Sequence, residues 1–322
     1  AFGIVVERPV KLLRFVGGDS GVVADLQHSD GSTEPVHSRW MVGCDGAHST
    51  VRHALGLSFE GAPYPGEFLL ADVKIDWELA SDQINLFLHA NGIVATFPLP
   101  GGRYRIVAEL GKGPIEKKEF TLDDVRQLFL ERVPLHAEFS DAIWISSFRV
   151  HHRKVTHYMQ GHVFLAGDAA HIHSPAGGQG MNTGMQDAYN LAWKLALVNA
   201  GKAEPKLLDS YSEEREPIAR SVIALTDRMT KVGTVKSPVL QKLRNLALPL
   251  FMGTEFVQHA LVNGLAETDL NYRNSSIVDG QGHFVRHAPQ PGERAPLPML
   301  SEGRHFGDCL RGTAHHLLLF AA

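Results

Sequence analysis

A single carboxylate, placed where a strand should end, is the most chemically pointed feature of this sequence. Val163, Phe164, Leu165 and Ala166 form a short apolar run closed by Gly167, and Asp168 follows at once. That pattern predicts a buried strand reaching the carboxyl edge of a sheet. A polar, glycine-rich loop runs from Asp168 to Gly180. Met181, Met185, Ala188, Leu191, Ala192, Leu195 and Ala196 then recur at helical spacing until Gly201 supplies a stop. Strand, carboxylate-bearing loop and glycine-opened helix make a ligand site in outline. Glycines let a flat ligand approach the backbone, and the unpaired amides of a first helical turn attract negative charge.

Other readings of the same residues carry less. Gly178, Gly180 and Gly184 give GxGxxxG, close to a dinucleotide fingerprint. A Rossmann turn, however, follows its strand almost at once, whereas about ten residues intervene here. His171 and His173 could begin a metal site, but no other cluster has ligand spacing, so no metal is expected. A purely structural glycine loop suits the composition and leaves Asp168 without a reason.

The elements around this stretch read as follows. Residues 1–42 are strands: Gly21 to His28 alternates apolar and polar, and Asp30-Gly31 marks a hairpin turn. Arg39 to Val42 leads into Gly43, Asp45 and Gly46, and Ser49, Val51 and Arg52 begin a short helix ending near Gly56. Alone, Asp45-Gly46 is only another turn. From Pro65 to about Ser147 the pattern becomes antiparallel: Ile84 to His89, Gly92 to Phe97 and Tyr104 to Glu109 are strands, and Thr121 with Asp124 caps a helix through Val125, Leu128, Phe129 and Val133. Phe87, Phe97 and Trp144 suit an aromatic pocket, and ordinary core is the better reading of each. Asp209 to Val232 reads as a helix with a Ser210/Glu213 capping box and Pro217 near its first turns. More helical pattern runs from about Pro238 to Leu265, an irregular segment starts at Asn271-Tyr272-Arg273, and Pro289 to Pro298 is a linker by composition.

Composition sets the wider bounds. The 322 residues are 44% hydrophobic and 20% charged, with net charge -4, enough for a sizeable core and two or more domains. The acidic balance argues against nucleic acid, and no apolar run approaches membrane-spanning length. Cys44 and Cys309 are the only cysteines, so no disulfide framework exists and a reducing, cytoplasmic setting is expected. AFGIVVERPVKLLRF at one end and HHLLLFAA at the other both read as strand interiors, which suggests a piece cut from a longer chain.

GDAAHIHSPAGGQGMNTGMQDAYNLAWKLA resembles the second flavin-binding motif of the flavoprotein aromatic hydroxylases of the para-hydroxybenzoate and phenol hydroxylase type. VGCDGAHSTVR, from Val42 to Arg52, is similar to that family's DG motif, in the right order and over a hundred residues upstream. The resemblance covers nearly the whole chain, most weakly between about Pro65 and Ser147 and at the C-terminal end. It implies an α/β fold: an incomplete FAD-binding, glutathione-reductase-like Rossmann domain lacking its GxGxxG unit, an inserted antiparallel-sheet substrate domain, and the start of a thioredoxin-like C-terminal domain. The corresponding limits are 1–64 and 148–205 for the FAD-binding parts, 65–147 for the sheet, 206–288 for a helical region, and 289–322 for the linker and last module.

The same resemblance implies FAD, with NADH or NADPH as reductant. It implies hydroxylation of a small phenolic aromatic by molecular oxygen through a C4a-hydroperoxide. Asp45, Gly46, Arg52, Gly167, Asp168, Pro175, Gly178, Gly180, Met181 and Asn182 match the cofactor-binding positions. Asp45 would lie beside the phosphates or ribose, with Arg52 either its electrostatic partner or an ordinary surface salt bridge. Asp168 would accept from the ribityl hydroxyls, Pro175 would pack near the isoalloxazine, and the amides near Gly180, Met181 and Asn182 would face the charge of the reduced ring. No catalytic base is identified. An epoxidase, reductase or halogenase on the same scaffold, or a truncated protein that retains no FAD, are the alternatives, and a homodimer is left open. The piece alone is expected to be colourless and inactive.

Overall fold

A computed structural model describes residues 3–112, 119–175, 178–235, 237–252, 264, 266–280, 289–300, 303–312 and 315–316. The chain opens with β1 (Val10–Gly18), β2 (Gly21–His28) and β3 (Thr33–Ser38), an antiparallel sheet in that order. The expected turn at Asp30-Gly31 forms: Gly31 takes φ +84°, and the Asp30 carboxylate accepts the Ser32 N–H at 2.9 Å. β4 (Met41–Gly43) and the short helix α1 (Thr50–Ala54) follow, and Ser49 caps α1 by accepting the Arg52 N–H.

Next come β5 (Glu60–Trp77), β6 (Asn85–His89), β7 (Gly92–Leu99), β8 (Arg103–Lys112), α2 (Leu122–Arg132) and β9 (Ala137–Lys154). β10 (Met159–Gln160), β11 (Val163–Leu165) and β12 (His171–Ile172) lead into α3 (Gly180–Asn199), α4 (Asp209–Gly233) and α5 (Pro238–Met252). The large sheet runs β12-β9-β5-β8-β7-β6, with every pairing antiparallel. Its alternation puts Leu69, Ala71, Val73 and Ile75 of β5 with Val94, Ile106 and Ala108 on one face, where Val125 and Phe129 of α2 cover them. The Thr121/Asp124 capping box is present. Phe87 joins this core against Trp77 and Phe129, whereas Trp144 is half-exposed under the Arg105 guanidinium. Phe97 pairs with Arg105 and so lies on the face away from α2.

A small second sheet, β10-β11-β4, positions the site. β11 lies parallel to β4, with Val163 opposite Met41 and Leu165 opposite Gly43, although the paired residues stand 122 positions apart in sequence. Phe164 and Leu165 bury completely, packed with Tyr158, Leu191, Leu208 and Tyr211. Tyr211 donates its hydroxyl to Leu165 O at 2.8 Å, which seats α4 under the end of the strand.

Three expectations need correction. α4 starts at Asp209 as expected but has no Ser210/Glu213 capping box: Ser210 donates to Leu207 O, and Glu213 accepts the Ser276 N–H. A tertiary donor, the Ser276 N–H, outcompetes the local motif for the Glu213 carboxylate. The stretch after Asp168 is also not all loop, because Gly167–Ala169 makes a 3-10 turn and β12 adds to the edge of the large sheet. At the N-terminal end the strand begins only at Val10, with no regular structure over residues 3–8. The reading of a helix up to Leu265 falls partly outside the described residues, as does the stretch from Leu317 onward. The proline-rich segment is tied down: Tyr272 N–H donates to Gly292 O at 2.7 Å, and Asn271 bridges Glu293. Among the described residues, no helix is long and apolar enough to cross a membrane.

Candidate functional site

The parallel pairing of β4 with β11 brings the two motifs to one sheet edge. Ala166 N–H continues the ladder to Gly43 O at 3.0 Å. Gly43 is required there, since a Cβ would lie 2.8 Å from Val51 Cβ and 3.0 Å from Leu165. Beyond it, Asp45 holds the start of α1, accepting from Ser49 Oγ at 2.5 Å and Val51 N–H at 3.2 Å. Gly46 turns with φ +79° and faces open space.

Arg52 is no surface salt bridge: it is 2% exposed. Its Nη1 donates to Ala169 O at 3.0 Å and its Nη2 to Ala47 O at 2.7 Å, while the guanidinium lies 3.9 Å from the Phe59 ring centre. Burial pulls its pKa down, partly countered by Asp45. Arg52 therefore clamps the loop after β4 to the loop after β11.

Gly167 adopts φ +59°, and its backbone packs on Gly184 of α3, where an added Cβ would stand 3.3 Å from Gly167 Cα. Asp168 is exposed, with no hydrogen bond or ion pair among the described residues. Past β12, Ser174 is buried and Pro175 exposed, and Gly178 N–H returns to Pro175 O at 2.9 Å. Asp168, Ile172, His173, Ser174, Pro175, Gly178, Gly180 and Met181 line one open depression of about 420 Å³. α3 opens on it at Gly180. Its N-cap, Gln179, makes no side-chain capping bond, and the first turn holds no acidic residue. The amides of Gly180, Met181 and Asn182 thus lack an intrahelical acceptor at the positive end of the helix. Gly180 itself is not in the left-handed region, and a Cβ there would make ordinary contact, 3.7 Å from His173 Nε2.

Of the residues singled out in the sequence, Asp168, Pro175, Gly178, Gly180 and Met181 therefore meet around one depression, with Gly167 at its hinge. Asp45 and Gly46 stand at the neighbouring strand end, and Arg52 lies beneath, turned toward protein carbonyls. Asn182 borders a separate, larger hollow of about 690 Å³ with Met185, Tyr189 and Trp193.

The apolar residues at helical spacing in α3 are not its buried face as a set. Met181, Met185 and Tyr189 are 73%, 55% and 76% exposed, whereas Thr183, Asp187, Asn190 and Lys194 are buried with Leu191 and Val198. Each buried charge has a partner, as burial demands. Lys194 donates to Glu214 at 2.7 Å, and Ser275 completes that carboxylate. Asp187 accepts from Arg215 Nε at 2.7 Å, His171 Nε2 at 2.7 Å and the Gly167 N–H at 3.0 Å. Burial pushes the Asp187 carboxyl up, but His171 and Arg215 outweigh it and hold it below the usual carboxylate range. Arg215 reaches on to Tyr272, and Thr183 and Gln186 donate to Glu267. His171 is thus engaged with a carboxylate. His173 donates Nδ1–H to Ser174 O at 2.9 Å, and its buried Nε2 has no partner among the described residues. Burial lowers the His173 pKa, which favours the neutral ring. The signal available in the sequence was that Asp187 and Lys194 are the two charged residues of this helix.

A carboxylate unpaired among the described residues, beside helix amides with no side-chain cap and at the carboxyl edge of parallel strands, is an arrangement suited to a ligand with hydroxyls and negative charge. A family model described as an FAD binding domain matches residues 1–226, and the chain belongs to this family, that of the FAD-dependent aromatic hydroxylases. It is 35% identical over 318 residues to pentachlorophenol 4-monooxygenase of Sphingobium chlorophenolicum, covering 97% of this chain and 57% of that protein. It is 37% identical over 337 residues to 6-methylpretetramide 4-monooxygenase of Streptomyces rimosus, covering 99% and 58%. The solved structure of OxyS anhydrotetracycline hydroxylase from Streptomyces rimosus matches with a TM-score of 0.73 at 31% identity, over 94% of this chain and 60% of that one. The chain thus spans under two thirds of the length of each of these proteins.

Proposed function

We propose that the protein containing this chain is an FAD-dependent monooxygenase that hydroxylates a phenolic aromatic, using molecular oxygen and NADH or NADPH. The observation that carries the reading is the unpaired Asp168 carboxylate sharing one depression with the open amides of α3. The bound cofactor would supply the activation of oxygen. In this assignment Asp168 accepts hydrogen bonds from the ribityl chain, and Pro175 packs beside the ring. The amides of Gly180, Met181 and Asn182 stabilise negative charge at the ring's edge without reorganising. Asp45 and Gly46 sit toward the phosphates or ribose, with Arg52 bracing the loop beneath. Residues 65–147 act as the substrate wall, on the sheet face opposite α2. The pentachlorophenol and anhydrotetracycline in the names of the relatives support an aromatic substrate. The test is a visible flavin spectrum and an NAD(P)H oxidation assay on the full-length protein. The expected outcome is a yellow protein whose NAD(P)H consumption rises when a phenol is added. A protein that stays colourless after incubation with FAD would defeat the reading.

A further inference from the structure

Asp187 lies two turns into α3, away from the depression, and is 0% exposed. A buried carboxylate needs a strong reason or strong partners, and here three groups converge on its two oxygens. Arg215 Nε from α4 takes Oδ1, while the Gly167 N–H and His171 Nε2 both take Oδ2. Two of these donors belong to the loop that carries Asp168, one residue before it and three residues after it. The third belongs to the neighbouring helix. Gly167 and Gly184 touch backbone to backbone in the same place. The two halves of the depression, loop and helix N-terminus, are thus locked together by a side chain from the helix itself.

We propose that Asp187 is a positioning residue. It fixes the Gly167–His171 loop against α3, so that the Asp168 carboxylate and the open amides of Gly180 to Asn182 keep one mutual geometry. This rests on the flavin reading given above. An asparagine cannot substitute. It offers one acceptor oxygen for three donors, and its NH2 must face the Gly167 N–H and His171 or else Arg215. Facing the NH2 toward the charged Arg215 costs more than facing it toward the neutral Gly167 amide, so the oxygen stays with Arg215 and the loop is released.

The measurement compares Asp187→Asn with Glu214→Gln in the full-length protein. Glu214 is an equally buried carboxylate bonded to Lys194 and Asn190 of the same helix but not to the loop. Both variants should lower Tm. Only Asp187→Asn should raise the Kd for FAD, by about tenfold or more, as expected for losing a hydrogen bond to a charged group that orders the site, and alter the visible circular dichroism of bound flavin. Equal FAD affinity and spectrum in the two variants overturn the proposal. If Asp187→Asn does not fold, amide exchange in the unsubstituted protein decides: the Gly167 N–H should be strongly protected, and rapid exchange there overturns it. If the unsubstituted protein takes up no FAD, the functional reading fails, while the Gly167 exchange still tests the lock.

Discussion

Asp168→Ala should separate binding from folding. The carboxylate is exposed and, among the described residues, makes no hydrogen bond or ion pair, so its removal breaks no internal contact. Surface substitutions of that kind shift stability by about 0.5 kcal/mol or less. A hydrogen bond from a ribityl hydroxyl to a carboxylate contributes about 1.5–3 kcal/mol, so FAD affinity should fall about ten- to a hundredfold. The backbone should hold its shape meanwhile, because Gly167 is held by Asp187 and Ala169 by Arg52. Flavin fluorescence quenching gives Kd, and thermal unfolding of the apoprotein gives stability. An unchanged Kd removes Asp168 from the site. A large fall in Tm with no selective loss of affinity would show that the carboxylate has a structural part not visible here.

Gly184→Ala places a Cβ 3.3 Å from the Gly167 backbone and should lower both Tm and flavin affinity, whereas Gly180→Ala meets only an ordinary 3.7 Å contact and should fold normally. Gly180→Val, with its branched side chain over the depression, should then reduce flavin binding more than Tm; normal binding would make Gly180 a turn residue only. Thr121→Ala removes the α2 cap and should cost about 1 kcal/mol in denaturant unfolding without touching FAD affinity. Acid should test Asp187. Its folded pKa lies below the unfolded value, so its contribution is complete above about pH 4 and is lost as pH falls through the folded pKa. The acid limb of a stability profile should be shallower in Asp187→Asn, and an unchanged limb would assign acid unfolding to other carboxylates.

Local signals carried much of the fold. Gly21–His28, the Asp30-Gly31 turn, the Thr121/Asp124 box and the strand ending at Gly167 are written in short windows, where alternation, turn chemistry and capping leave few choices. Ser210/Glu213 shows the limit: an equally good local motif lost to a backbone amide 63 residues away in sequence. α3 shows a different limit. Its methionines and alanines have helical periodicity, but periodicity cannot say which stripe turns inward when charged residues find buried partners in α4 and the 267–275 segment. Arg52 and Asp187, which brace the loops, act through contacts 117 and 20 residues along the chain. No window of sequence holds both ends of the Arg52 clamp.

The long ladder between β5 and β9 runs from Glu60 opposite Lys154 to Trp77 opposite Ala137. The chain therefore leaves the β4 side of the fold and returns to the β11 side at adjacent points, one strand spacing, about 5 Å, apart. A module joined to its host by two neighbouring strands resembles a cartridge in a socket. Its β6–β7 turn also touches the helices, Ala90 O accepting from Gln241 Nε2 at 3.3 Å and Ile93 lying beside Gly233, so an exchanged insert must keep that contact. On the proposed assignment, one oxygen-activating base could serve phenols of very different size by exchange of this insert alone. Transplanting the insert from a relative, cut at Glu60 and Lys154, should leave the flavin spectrum intact while the preferred phenol changes. Loss of bound flavin in such chimeras would show that socket and cartridge are a single unit.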